Sequence, residues 1–174
     1  MSAPTWERLS ARAGRNDLPV ILADSVLGEN GYQGVSLPLA EIPHAIGHTW
    51  PLAEWPQAAL GLDVWLFLFG VLPDDQYIDE DRLADTDRLP EYLHLYRGCA
   101  AGREMGMAWT EDRDRAVWFA TRFGSRWGEP MLLETNVPRE LVLAKFHAGR
   151  GEAEWVIDVT CLEPADLEGR PVSA

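Results

Sequence analysis

The spacing of apolar residues changes near residue 90, and this change restricts the fold of the chain more than any other feature of the sequence. Before it, apolar residues recur at three- and four-residue intervals. Trp55, Ala59, Leu62, Leu66 and Phe69 fall on one face of a helix expected over Trp55 to Leu72. Pro56 suits the first turn of that helix, where the N–H it lacks would have no partner. Leu18 to Gly28 reads as a shorter helix, and Asp74 to Leu89 as an acidic, turn-rich stretch. After residue 90 the period shortens to two. Tyr92 to Tyr96 (YLHLY), Met131 to Val137 and Leu141 to Phe146 alternate as strands do, and Trp155 to Val159 (WVIDV) reads as a last strand. Between the first two strands, Ala116, Phe119, Ala120 and Phe123 mark a helix from Asp112 to Ala120 that stops by Gly124. A helical half followed by a mostly β half with one helix is an α+β arrangement. No repeat, low-complexity tract or linker interrupts the 174 residues, so a single domain is expected over 1–174: a helical lobe over 1–90 and a β-rich half over 91–174. Trp50, Trp55 and Trp65 are expected in the core of the helical lobe.

Charge and composition narrow the function classes. A net charge of −13 argues against strong nonspecific binding to nucleic acid, which needs Lys and Arg to neutralise phosphates. It suits solubility, or a basic partner. The longest apolar run, Val64 to Leu72, is far shorter than the roughly 20 residues that span a bilayer. The opening MSAPTWERLSARAG has no apolar leader segment, so a cytoplasmic protein without a membrane anchor is expected. In that reducing compartment Cys99 and Cys161 are expected as free thiols. His44 and His48 have the i, i+4 spacing of a zinc helix. They lack the glutamate of H-E-x-x-H, and Pro43 and Gly47 weaken a continuous helix, so no metal is expected. Cys99 has no nucleophile signature around it and is expected to pack.

Three segments of the β half carry the candidate chemistry: Leu95-Tyr96-Arg97-Gly98, then Gly106-Met-Ala-Trp-Thr110 leading into the helix, then Gly151-Glu-Ala-Glu-Trp-Val-Ile-Asp158. In order and spacing they resemble the Arg–Ser–Glu class of mono-ADP-ribosyltransferases, which includes bacterial toxins and phage enzymes. The resemblance covers roughly residues 92 to 159 and leaves residues 1–90 unassigned. It implies two small antiparallel sheets split to form an NAD⁺ cleft, with NAD⁺ as substrate and no metal. By that resemblance Glu154 faces the ribose as the nicotinamide leaves. Glu152, two residues earlier, orients an acceptor guanidinium and takes its proton. Arg97 holds a phosphate, and the Gly98 backbone meets the nicotinamide carboxamide. Thr110 supports Arg97 and Glu154 from the Ser/Thr segment, and Trp109, with Trp118 or Phe119, stacks on the nicotinamide or walls the cleft. Ala108 stands where the family usually has serine.

Each of these residues also has a plain structural alternative. Arg97 could form an ion pair, Thr110 could cap the helix from Glu111, Glu152 could be a solvated turn residue, and Phe119 could belong to the core. The activity implied is transfer of ADP-ribose to an acceptor, with arginine on a protein favoured by the Glu-x-Glu pair. An immunity or target protein is a further partner that toxin-type members imply. NAD⁺ glycohydrolysis and a degenerate nucleotide- or partner-binding module are the alternatives.

Overall fold

The computed structural model describes residues 4–72, 76–79, 82–85, 88–122, 124–147 and 153–173. It is a mixed α+β protein with two small antiparallel sheets. Contacts group the chain into two compact units, Met1–Ala84 with Phe146–Glu152 and Asp85–Lys145 with Ala153–Ala174.

The first unit is built from helices α1 (Trp6–Ser10), α2 (Leu18–Leu27), α3 (Ile42–Leu52), α4 (Pro56–Leu60) and α5 (Leu62–Gly70), followed by short strands β1 (Gln76–Asp79) and β2 (Arg82–Asp85). Its core holds Trp6, Leu22, Ile46, Trp50, Trp65 and Leu68. Trp50 meets Trp65 edge to face with ring centres 4.8 Å apart, and the Trp65 indole N–H donates to the Pro56 carbonyl at 2.7 Å. Such pairs add to the apolar area that two buried indoles remove from water.

The single helix expected over Trp55 to Leu72 is instead two, because Gly61 adopts φ 79° between them. That left-handed residue resets the helical phase. Trp65, Leu68 and Phe69 turn inward, while Ala59 is exposed and Trp55 stands 45% exposed rather than in the core. Two further expectations need correction. Helix α3 runs unbroken through Gly47, with Pro43 in its first turn, and the acidic stretch after Asp74 contains β1 and β2.

Within α3, His44 and His48 stack with ring centres 6.5 Å apart, and the Trp6 indole donates to His48 Nδ1 at 3.1 Å. Among the described residues no group of three or more His, Cys, Asp or Glu could hold a metal. Burial lowers the His48 pKa, and His44 lowers it further. The folded state therefore takes up this proton less readily than the unfolded chain. Stability is complete above the ordinary histidine value of about 6.5 and declines as pH falls below it, until the depressed folded value is passed. Thermal unfolding followed from about pH 7.5 to pH 5 is expected to show a steeper loss for the native chain than for His48→Gln, whose amide still accepts from Trp6. Parallel curves would remove His48 as the titrating group.

The second unit holds strands β3 (Tyr92–Ala100), β4 (Ala108–Trp109), β5 (Pro130–Pro138), β6 (Val142–Phe146), β7 (Glu154–Ile157) and β8 (Glu168–Pro171), with helix α6 (Arg113–Thr121) after β4. One sheet has the order β3-β5-β8, with β3 and β5 paired from Tyr92↔Pro138 to Ala100↔Pro130. In the other, β6, β7 and β4 are successive neighbours. The alternating segments all form strands close to their expected positions. β7 ends at Ile157 because the Asp158 carboxylate accepts from Thr160 N–H at 2.9 Å and turns the chain. Helix α6 lies on the β3–β5 sheet through Ala116 and Ala120, both buried. Among the described residues no helix is long and apolar enough to cross a membrane.

Candidate active site

Side chains alternate across β3, and Leu93, Leu95 and Cys99 take its buried face. Arg97 falls in the same frame, so its guanidinium enters the protein between two apolar neighbours instead of leaving for solvent. There it is held by the chain just beyond. Nη1 donates to the Ala108 carbonyl at 2.8 Å and Nη2 to the Arg103 carbonyl at 3.3 Å, while Nε is buried without a hydrogen-bond partner among the described residues. Burial depresses the Arg97 pKa, and Cys99, Glu154 and Glu104 oppose that shift through their negative potential. Burial also raises the pKa of the Cys99 thiol, Arg97 acting against it. Cys99 is buried and Cys161 exposed, and both are free.

The plane of the guanidinium rests on Gly106. A Cβ added there would lie 1.9 Å from Nη2 and 2.1 Å from Cζ. Glycine is thus needed for the arginine to lie flat, a requirement the sequence does not announce. Gly106→Ala is expected to destabilise the fold by about 1–3 kcal/mol. In the Arg97→Ala background the same change is expected to cost much less, because the new methyl fills vacated space. Urea unfolding of the two single variants and the double variant measures this coupling, and additive costs would show that the two residues do not share the space.

Thr110 joins the two sheets. Its N–H donates to the Tyr96 carbonyl at 2.8 Å and its carbonyl accepts from Tyr96 N–H at 2.7 Å, tying the end of β4 to the middle of β3. Ala108 pairs with Val156 and Trp109 with Trp155, so Thr110 follows directly on the strand that pairs with β7, whose first residue is Glu154. The three segments singled out in the sequence therefore converge. Arg97 follows the residue bonded to Thr110, Glu154 begins the strand that pairs with β4, and Glu154 lies within electrostatic reach of Arg97. Glu152 lies outside the described residues.

Other expected roles change. Trp109 is only 2% exposed and its indole N–H donates to the Gly106 carbonyl at 2.8 Å, so it is a core residue and offers no ring face to a ligand. Its strand position sets it against Trp155, also buried, and this pair fills the core beneath β4 and β7. The cap of α6 is Asp112, whose carboxylate accepts from Asp114 and Arg115 N–H at 2.9 and 3.0 Å. Thr110 does not cap the helix, because its hydroxyl accepts from Asp112 N–H at 3.1 Å and tightens the turn before it. Gly98 owes its lack of a side chain to α6: a Cβ would lie 1.8 Å from the Ala116 carbonyl oxygen and 2.6 Å from Ala120 N. Phe119 is half-buried and Trp118 is exposed on the outer side of that helix.

A polar group not anticipated from sequence occupies the opposite face of β3. His94 Nε2 lies 3.0 Å from Glu134 Oε1 and 2.9 Å from the Tyr96 hydroxyl, and Arg170 approaches Glu134 Oε2 at 3.6 Å. The strand pairing brings His94, Tyr96 and Glu134 together, and no linear spacing in the chain could have revealed it.

In comparison with known proteins, the chain matches no family model, no curated protein and no solved structure.

Proposed function

We propose that this protein is an NAD⁺-dependent ADP-ribosyltransferase with the split-sheet architecture of the Arg–Ser–Glu class, Glu154 acting as its catalytic carboxylate. The observation that carries this reading is the meeting of Arg97, Thr110 and Glu154 where β3, β4 and β7 adjoin. The residues come from chain segments 13 and 44 positions apart (110 − 97; 154 − 110), and their approach supports the reading that the resemblance implies.

Nicotinamide in NAD⁺ is a cationic leaving group and departs with the bond's electron pair, needing no acid. The barrier is the oxocarbenium-like ribose left behind. A carboxylate beside that carbon stabilises the developing charge more than it stabilises the ground state. Glu154 supplies this carboxylate. Arg97, with donors left over after its two carbonyl bonds, faces the negative charge of the pyrophosphate. The acceptor then attacks the ribose carbon and gives up its proton. For an arginine acceptor, Glu152 takes that proton.

Purified protein incubated with NAD⁺ labelled in the adenosine portion provides the test. Free nicotinamide together with label on protein from a cell lysate would establish transfer. Nicotinamide with free ADP-ribose alone would establish hydrolysis, and NAD⁺ binding without turnover would reduce the site to a nucleotide holder.

A further inference from the structure

Beyond the tip of Arg97 lies an exposed indole with two guanidinium groups beside it. The turn Gly124–Trp127 after α6 leads into Gly128, whose φ of 129° returns the chain along the end of β3. A Cβ at Gly128 would lie 3.3 Å from Ala100 Cβ and 3.4 Å from the Ala101 carbonyl oxygen, so glycine permits this close return. The Glu129 carbonyl accepts from Ala101 N–H at 2.8 Å, and Arg103 N–H donates to the Ala100 carbonyl at 3.0 Å. These bonds set Trp127 beside Arg103. Arg103 Cζ lies 5.7 Å and Arg126 Cζ 5.6 Å from the Trp127 ring centre. Both distances exceed the roughly 3.5–4 Å of flat contact, so neither group seals the indole. Trp127 stays 52% exposed.

Among the described residues neither guanidinium has a carboxylate or a hydrogen-bond partner. The neighbouring acid, Glu104, turns its carboxylate onto the Gly102 N–H at 2.8 Å instead. In a chain with 28 acidic and 15 basic residues, two unpaired guanidinium groups beside one open ring suit an anionic, aromatic ligand. Arg103 also joins this group to the candidate active site. Its carbonyl accepts from Arg97 Nη2 at 3.3 Å, while its side chain reaches Trp127. One arginine residue thus separates the tip of Arg97 from the indole, much as one ribose separates the diphosphate of a dinucleotide from its base. An indole face stacks on a base whatever its hydrogen-bonding edge, and guanidinium donors match phosphate oxygens. We infer that Trp127, with Arg103 and Arg126, is the seat of the adenosine half of NAD⁺, its purine lying on the indole. The inference rests on the reading of Arg97 and Glu154 given above, and it extends that site to three residues outside the motifs of the resemblance.

AMP carries this half of the dinucleotide without the scissile bond. Its binding to the full chain, followed by isothermal titration calorimetry up to millimolar concentration, therefore tests the seat apart from turnover. Saturable binding is expected, with ribose 5-phosphate at least about tenfold weaker because it lacks the base. Trp127→Ala is expected to weaken AMP binding at least about tenfold, and Trp127→Phe to retain most of it. The double variant Arg103→Gln/Arg126→Gln is expected to weaken it as well, and Glu154→Gln to bind AMP as the native protein does. These side chains are exposed, so circular dichroism melts are expected to coincide with that of the native protein. Where nicotinamide release is observed, Trp127→Ala is expected to raise KM for NAD⁺ with little change in kcat. Trp127-dependent AMP binding without any nicotinamide release would remove the proposed activity and keep the seat. Absence of AMP binding, AMP binding unchanged by Trp127→Ala, or equal binding of ribose 5-phosphate would overturn the inference.

Discussion

Glu154→Gln is expected to reduce nicotinamide release from NAD⁺ by about 10²–10³-fold while leaving the protein folded. Glutamine keeps the size and shape of the side chain, loses the negative charge, and exchanges one acceptor oxygen for an NH2 donor. The charge matters most in the transition state, where the ribose carbon turns cationic, so the loss is expected in kcat with little change in KM. The fold tolerates the change because Glu154 is half-buried at the start of β7, and the strand is anchored by Trp155, Val156 and Ile157, all buried behind it. A shift of stability within about 1 kcal/mol is therefore expected. Equal release by the variant and the native protein would remove Glu154 from the proposed chemistry. Glu152→Gln separates the two carboxylates: it is expected to suppress transfer to an arginine acceptor while nicotinamide release continues.

Gly98→Ala is expected to have the largest effect on folding. Its methyl would press on the Ala116 carbonyl oxygen and the Ala120 nitrogen, which are backbone atoms of a helix and have no side-chain torsion by which to yield. The helix must lift from β3, and the buried contacts of Ala116 and Ala120 are lost with it. A cost of about 3 kcal/mol or more is expected, at the upper end of what overpacking produces. The urea midpoint measures it. A shift of under about 1 kcal/mol would mean that α6 can slide at no cost. The comparison with Gly106→Ala is informative, because there the obstructed atoms belong to the end of an arginine side chain that can swing away.

Much of the second unit was legible because its strands alternate. The alternation of Leu93 and Leu95 was visible in the sequence, whereas the extension of that buried face to Arg97 and Cys99 came only from the structure. What the sequence could not convey was what meets that arginine, since Gly106 and the carbonyls of Arg103 and Ala108 become its partners only after the loop closes. Strand β4 escaped notice because it has two residues, too few to show a period, and β8 because Glu-Gly-Arg-Pro has no apolar alternation. Trp109 was misread for a related reason. An aromatic next to a motif looks like a ligand platform until its pairing with Trp155 shows which way it faces. In the first unit one glycine undid an otherwise regular pattern: the apolar spacing from Trp55 to Phe69 is continuous in sequence, but φ 79° at Gly61 puts its two halves in different helical phases. At the candidate site the order of Arg97, Thr110 and Glu154 along the chain was visible, and their adjacency depends on the Tyr96–Thr110 pair, a contact between segments with no complementary pattern.

The burial of Arg97 Nε also has a stereochemical consequence. A guanidinium presents two kinds of edge to an oxyanion: a side-on edge formed by Nε with one terminal nitrogen, and an end-on edge formed by the two terminal nitrogens. With Nε sealed within the protein, the side-on edge is closed. Only the end-on edge, whose two nitrogens already donate to the Ala108 and Arg103 carbonyls, has donors to spare, so an oxyanion at Arg97 would have to approach along the line of the side chain.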